Sequence, residues 1–185
     1  TALIAVRELK ANPGATIIYN LISSKAVPEV ISENGGTALR SRVGHSYIKS
    51  LMAESGAIFG GEHSGHFYFG DFWRADSGML AALYALAELM ATSKPLSNLL
   101  KPYNRYFSSG EINSKVKDAK KSINLIREKY QGSYQVDELD GLTITADTWW
   151  FNLRSSNTEP LLRLNVEANT EKQMAEIRDT VLALI

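Results

Sequence analysis

The sequence predicts an α/β domain with a mainly parallel sheet, followed by a smaller α+β domain with an antiparallel sheet, and three observations carry that prediction. Between residues 16 and 61 continuous apolar runs alternate with helix-like segments, the βαβαβ rhythm of strands buried on both faces. The stretch MLAALYALAELMA at 79–91 carries Glu88 and is shorter than the ~20 residues of a bilayer span, so it reads as a buried helix. Beyond residue 133 the runs become short, alternate with polar residues and are split by turn signals, which suits antiparallel strands.

Taken in order, residues 1–10 suit a short helix with Leu3, Val6 and Leu9 inward, stopped by Asn12-Pro13-Gly14. TIIYNLI (16–22) is a strand. AVPEVISE follows as a helix ended by Asn34-Gly35-Gly36, TALRSRV as a strand, SYIKSLMAES as a helix ended by Gly56, and AIFGG as a strand. Ser77 can cap the next helix, with Leu80, Leu83, Leu86 and Met90 along one face. From Lys94 to Ser109 prolines, asparagines and paired serines mark a boundary, giving domains over 1–101 and 113–185 with a linker at 102–112. A helix near 114–130 is expected next, then strands in SYQVDEL, LTITA, WWFNL and LLRLNVEA with a turn at Asp140-Gly141. A last helix is capped by Thr170, with Gln173 three residues on.

Charge and composition exclude several classes of function. Lys plus Arg equals Asp plus Glu at 20 each, so no basic excess draws in nucleic acid or anionic lipid, and neither is expected as a partner. With no cysteine there is no disulfide, thiol nucleophile or thiolate metal site, which suits a cytoplasmic setting. The first residues lack the basic start and small-residue cleavage site of a signal peptide. They begin with Thr where a whole gene product begins with Met, so the chain reads as an excised part of a longer one.

Three polar clusters follow the first three strands: SSK (23–25), GHS (44–46) and EHSGH (62–66). If those strands are parallel, right-handed crossovers bring all three to the carboxyl edge of the sheet, where open α/β sheets bind ligands. Each alone could be only a polar turn. EHSGH could also be a metal clasp of Glu62, His63 and His66, although its glycines remove the helical spacing that would aim the imidazoles together. A sugar grip fits better: a carboxylate, a hydroxyl and an imidazole at Glu62, Ser64 and His66 match a vicinal diol, and glycine lets the backbone approach.

The later stretch RSSNTEP (154–160) has a phosphate cradle's composition, with the guanidinium fork of Arg154 and the hydroxyl and amide donors of Ser156, Asn157 and Thr158. Ser156 and Glu159 have capping-box spacing, but Leu162, Leu164, Val166 and Ala168 alternate with Arg163, Asn165 and Glu167, so a strand follows and not a helix. A plain polar turn remains open. DELD (137–140) reads as a strand end and hairpin turn; Trp149-Trp150 and DFWRAD (71–76) read as packing and loop anchors, with Arg74 a secondary ligand candidate.

GEHSGH followed by DFWRADSGMLAAL, with NLRSSNTEPLLRLNVEA about ninety positions on and SRVGH upstream, resembles the α-D-phosphohexomutase superfamily, in particular its bacterial phosphomannomutases and phosphomannomutase/phosphoglucomutases. The resemblance implies that 1–101 is the family's third domain, a three-layer α/β/α sugar-recognition domain, and that 113–185 is its fourth, a phosphate-binding domain. It also implies interconversion of hexose 6-phosphate and hexose 1-phosphate, mannose first and glucose second, through a phosphoserine enzyme and hexose 1,6-bisphosphate as intermediate and activator. In the family the phosphoserine lies in the first domain and Mg²⁺ on an Asp-rich loop of the second. Neither loop occurs in these residues, so no catalytic or metal residue is expected here and the N-terminal domains are the expected partners. Carried over, Glu62, Ser64 and His66 would touch sugar hydroxyls with Gly44 and His45 beside them, and Arg154, Ser156, Asn157 and Thr158 would hold the phosphate that is not transferred. Asn157 resembles the phosphomannomutase pattern; the phosphoglucosamine mutase branch has Gly there and Gln at the place of His63. The alternatives are phosphoglucosamine mutase, phosphoglucomutase or a stand-alone, non-catalytic sugar-phosphate binding module.

Overall fold

The structure is a computed structural model that describes residues 1–156 and 159–185. It divides into two compact units, Thr1–Arg105 and Tyr106–Ile185.

In the first unit α1 (Ala2–Ala11), β1 (Thr16–Asn20), α2 (Ala26–Glu33), β2 (Thr37–Ser41), α3 (His45–Ser55) and β3 (Phe59–Gly61) follow one another. Next come two short strands, β4 (Phe67–Phe69) and β5 (Ala75–Asp76), then α4 (Gly78–Met90) and α5 (Leu96–Leu100). The sheet order is β2-β1-β3-β4-β5, with β2, β1 and β3 parallel and the last two strands antiparallel. Adjacent Ile17 and Ile18 are both fully buried, as a strand covered on both faces requires. Ile17 packs with Ile4, Leu9, Ile31 and Phe59 on the side of α1 and α2; Ile18 packs with Ile48 and Met52 of α3 on the other. Two layers of helix therefore sandwich the sheet. Truncating either isoleucine to Ala would cost about 2–5 kcal/mol.

The α4 helix departs from expectation. Its cap is as predicted, with Ser77 Oγ accepting from the Leu80 N–H at 3.2 Å, but only Ala81 is buried, with Leu80 and Tyr84 packed beside it. Leu83, Leu86 and Met90 are 54%, 52% and 85% exposed, so the helix is not buried. Being apolar nearly all round, its sequence does not say which stripe faces inward, and the stripe through Leu80, Ala81 and Tyr84 does.

The stretch 102–112, expected as a linker, is ordered. Residues 101–103 form one turn of 3₁₀ helix, Arg105 forks onto Glu33 with both contacts at 2.6 Å and reaches Glu29 at 3.2 Å, and a strand starts at Phe107.

The second unit runs β6 (Phe107–Lys115), α6 (Ala119–Tyr130), β7 (Gln135–Asp137), β8 (Leu142–Thr145), β9 (Trp149–Ser155), β10 (Leu161–Ala168) and α7 (Glu171–Leu182). Its sheet, β6-β10-β9-β8-β7, is antiparallel throughout. The register sorts the faces. Leu142, Leu153, Leu164 and Ile112 line up on one side with Ile144, Phe151 and Val166, and α6 and α7 cover them through Ile126, Tyr130, Met174 and Val181. Thr143, Asn152, Asn165 and Glu111 line up on the other side with the pair Arg154 and Arg163. Gly141 makes the β8 turn at φ +71°, where a Cβ would lie 2.5 Å from the Leu153 carbonyl oxygen, so only glycine fits. Thr170 caps α7 through the Gln173 N–H, but the Gln173 side chain donates to Thr148 and does not close a capping box.

Candidate functional site

The parallel strands place the three polar clusters of the first unit at one carboxyl edge, and two buried side chains tie them together. Asn20, the last residue of β1, is fully buried; its Oδ1 accepts from the Ser23 hydroxyl at 2.7 Å and the His63 N–H at 3.3 Å. Glu62, just past β3, is 4% exposed; its Oε1 accepts from the Gly44 N–H at 3.1 Å and its Oε2 from the Ser64 hydroxyl at 3.0 Å. Asn20 thus joins the first cluster to the third, and Glu62 joins the second to the third. Gly44 has φ +131°, a conformation that starts α3 and that a side chain would strain.

The imidazoles are braced from β4 and β5. His45 opens α3, and its Nδ1 lies 2.6 Å from the hydroxyl of fully buried Tyr68. Burial first, then the charges of Glu62 and Asp76, push the Tyr68 phenol well above its usual range, so it keeps its proton. His66 meets His45 edge-on with ring centroids 4.3 Å apart, and its Nδ1 lies 2.6 Å from Asp76 Oδ2. Asp76 also accepts the Phe67 N–H at 2.9 Å. Burial pushes its carboxyl up, but the Phe67 amide and the His66 contact outweigh that and hold it below the usual carboxylate range.

Of the residues expected to grip a sugar, the fold brings Gly44, His45, Glu62, Ser64 and His66 together. His63 is exposed, and only its backbone takes part. Sequence reasoning missed Asn20, Tyr68 and Asp76. Asn20 lies inside the apolar run TIIYNLI and reads only as part of that strand, and Asp76 is useful only because β4 and β5 pair to put it beside His66.

In the second unit Arg154 is 7% exposed on β9 and directly opposite Arg163 of β10. Two facing guanidinium groups repel, and Glu111 of β6 answers both, taking Arg154 at 2.9 Å and Arg163 at 3.1 Å on separate oxygens. Arg163 also donates to the Ser156 hydroxyl at 3.3 Å. Two cations against one anion leave a net positive cluster, and the Nε atoms of both arginines are buried without a protein partner among the described residues. Asn157 and Thr158 lie outside the described residues. Glu111 was not foreseen, because the strand that supplies it was not; Arg163 reads only as a polar position of the strand LLRLNVEA.

Mg²⁺ calls for an octahedral set of oxygen ligands. Among the described residues the three-ligand grouping is His45, His66 and Asp76, two imidazoles to one carboxylate, and it does not fit Mg²⁺. The clasp of Glu62, His63 and His66 is not assembled. No helix among the described residues is long and apolar enough to cross a membrane.

A family model for phosphoglucomutase/phosphomannomutase alpha/beta/alpha domain III matches residues 1–106, and one for the phosphoglucomutase/phosphomannomutase C-terminal domain matches 111–184. The chain belongs to the phosphoglucomutase/phosphomannomutase family. A phosphomannomutase of Methanocaldococcus jannaschii is 48% identical over all 185 residues, and one of Escherichia coli K12 is 40% identical over 99% of the chain. The chain spans 41% of the length of each of these relatives. Among solved structures, a family protein from Burkholderia thailandensis matches with a TM-score of 0.85 and 32% identity over 99% of this chain and 40% of its own. An Aspergillus fumigatus N-acetylphosphoglucosamine mutase in complex with glucose 1,6-bisphosphate shares the fold at a TM-score of 0.71 with 11% identity.

Proposed function

We propose that this chain is the sugar- and phosphate-recognising part of a phosphohexomutase that interconverts hexose 6-phosphate and hexose 1-phosphate, with mannose the preferred sugar. The observation that carries the reading is the joining of three separate loops at one sheet edge by Asn20 and Glu62. A plain turn has no need of a buried carboxylate bracing a neighbouring loop. Each Glu62 oxygen has a second lone-pair direction for a sugar hydroxyl, Ser64 and the two imidazoles add donors and acceptors beside it, and the Gly44 and Gly65 backbones leave room. The first unit is thereby the sugar-recognition domain.

The second unit is the phosphate-binding domain. Arg154 supplies a preorganised fork, Ser156 a hydroxyl, and Asn157 and Thr158, next in the sequence, the remaining donors. Arg154 is held by Glu111 without phosphate, so an arriving phosphate takes over a guanidinium already in place. The phosphoserine, the Mg²⁺ and the N-terminal domains belong to the part of the relatives' length that this chain does not span; Mg²⁺ there would offset phosphate charge. The substrate passes through hexose 1,6-bisphosphate, the ligand of the Aspergillus fold neighbour. The absence of cysteine suits a cytoplasmic enzyme.

The test is a pair of measurements on the 185-residue chain. Calorimetry should show binding of mannose 6-phosphate, while a coupled assay with mannose 1-phosphate, the bisphosphate and Mg²⁺ should show no turnover above blank. Sustained turnover, or no binding of either hexose phosphate, would contradict the reading.

A further inference from the structure

We propose that His45, His66 and Asp76 form a binding site for a divalent transition-metal ion of the zinc class at the carboxyl edge of the first unit's sheet. Two imidazoles and one carboxylate are a donor set that suits Zn²⁺, Co²⁺ or Ni²⁺. The ligand atoms the three residues offer all lie within 4.8 Å of one another. Metal–ligand bonds of about 2.0–2.2 Å place ligand atoms roughly 3–3.5 Å apart, so the site closes by a shift of an ångström or so in exposed or half-exposed side chains. His66 and Asp76, now 2.6 Å apart, open slightly as the metal replaces the proton between them.

The second observation is the bracing. A metal-bound histidine is held at its other ring nitrogen by an outer partner, which fixes ring orientation. His45 already has one, with Nδ1 on the hydroxyl of buried Tyr68, which leaves Nε2 as the ring nitrogen that would take the metal. Asp76 is fixed in the same way, since Oδ1 holds the Phe67 amide while Oδ2 faces His66. With three protein ligands, of which His45 and Asp76 are exposed, the remaining coordination positions would be left to a water or a hydroxyl ligand. The set is distinct from the Mg²⁺ expected of the longer relatives, and it stands whether or not the mutase reading does.

Metal-free chain is titrated with Zn²⁺ against a chromophoric chelator, and with Co²⁺ for its visible spectrum. One ion per chain is expected, with Co²⁺ giving the intense bands of a four- or five-coordinate site. His45→Ala and Asp76→Asn should each weaken Zn²⁺ by about tenfold or more; Asn keeps the Phe67 contact, so the β4–β5 pairing survives. Tyr68→Phe should weaken it less, and His63→Ala, outside the trio, should leave it unchanged. The proposal is overturned if wild type binds no tighter than about millimolar, if Asp76→Asn binds like wild type, or if His63→Ala loses as much as His45→Ala.

Discussion

The two units carry their polar clusters in different places. In the first the cluster lies mainly on the loops that follow the parallel strands β1, β2 and β3, braced by Tyr68 of β4 and Asp76 of β5, and helices take up both faces of the sheet. In the second the charged residues stand in the strands, on the one sheet face the helices leave free. An edge site is made of backbone turns and short hydrogen bonds, so it selects by hydroxyl geometry. A face site holds its side chains in a fixed register, so it presents charge at set spacings. Hydroxyls and phosphate are the ligand types that these two constructions suit.

Replacing Arg154 with Ala should have the largest effect, because a buried guanidinium fork is lost and Arg163 is the guanidinium of the facing pair that remains. Hexose-phosphate affinity measured by calorimetry should fall at least about a hundred-fold, and the wild type alone should lose affinity steeply as salt is raised. Next comes Glu111→Gln, which leaves Arg154 and Arg163 facing each other without a counter-charge. The ligand-free chain should lose about 1–3 kcal/mol in urea unfolding while phosphate binding is kept, and added inorganic phosphate should restore part of the stability. A fall in both would mean that phosphate binding depends on Glu111 to hold the two arginines in place.

Glu62→Gln tests the other side of the comparison. It should weaken mannose and glucose phosphates by about 1–2 kcal/mol, five- to thirty-fold, and leave inorganic phosphate binding unchanged. The smallest effect belongs to Glu33→Gln at the surface pair with Arg105. The Arg105 hydrogen bond, working against slight burial and helped by the guanidinium charge, holds the Glu33 carboxyl below its usual range. A depressed carboxylate contributes stability above its ordinary pKa and loses it as pH falls through the lowered one. The wild-type and Glu33→Gln melting curves should therefore differ slightly at neutral pH and converge in acid.

The same contrast explains what was legible in the sequence. The continuous apolar run TIIYNLI and the alternating LLRLNVEA each carry a pattern that points to a strand; the second is found over Leu161–Ala168 as read, and the first forms a strand over Thr16–Asn20, two residues shorter than read. The strand β6 was not legible. Between Glu111 and Ser108 its register shifts past a bulge where Gly110 has φ +67° and Ser109 Oγ takes the Val166 N–H, so FSSGEINSK never alternates. Missing it hid Glu111, and with it the reason two arginines can face each other. The edge loops were legible because glycines, histidines and acids crowd after strand ends; Asn20, Tyr68 and Asp76 were not, because each acts through a partner more than seven residues away.

The central claim is that the second unit holds a phosphate whichever end of the sugar carries it. The most direct measurement is calorimetric affinity of wild type and Arg154→Lys for mannose 1-phosphate and for mannose 6-phosphate. Lysine keeps the charge and loses the fork, so both affinities should fall by about 1–3 kcal/mol, roughly five- to a hundred-fold, to the same extent. Unchanged affinity, or a loss confined to one isomer, would contradict it.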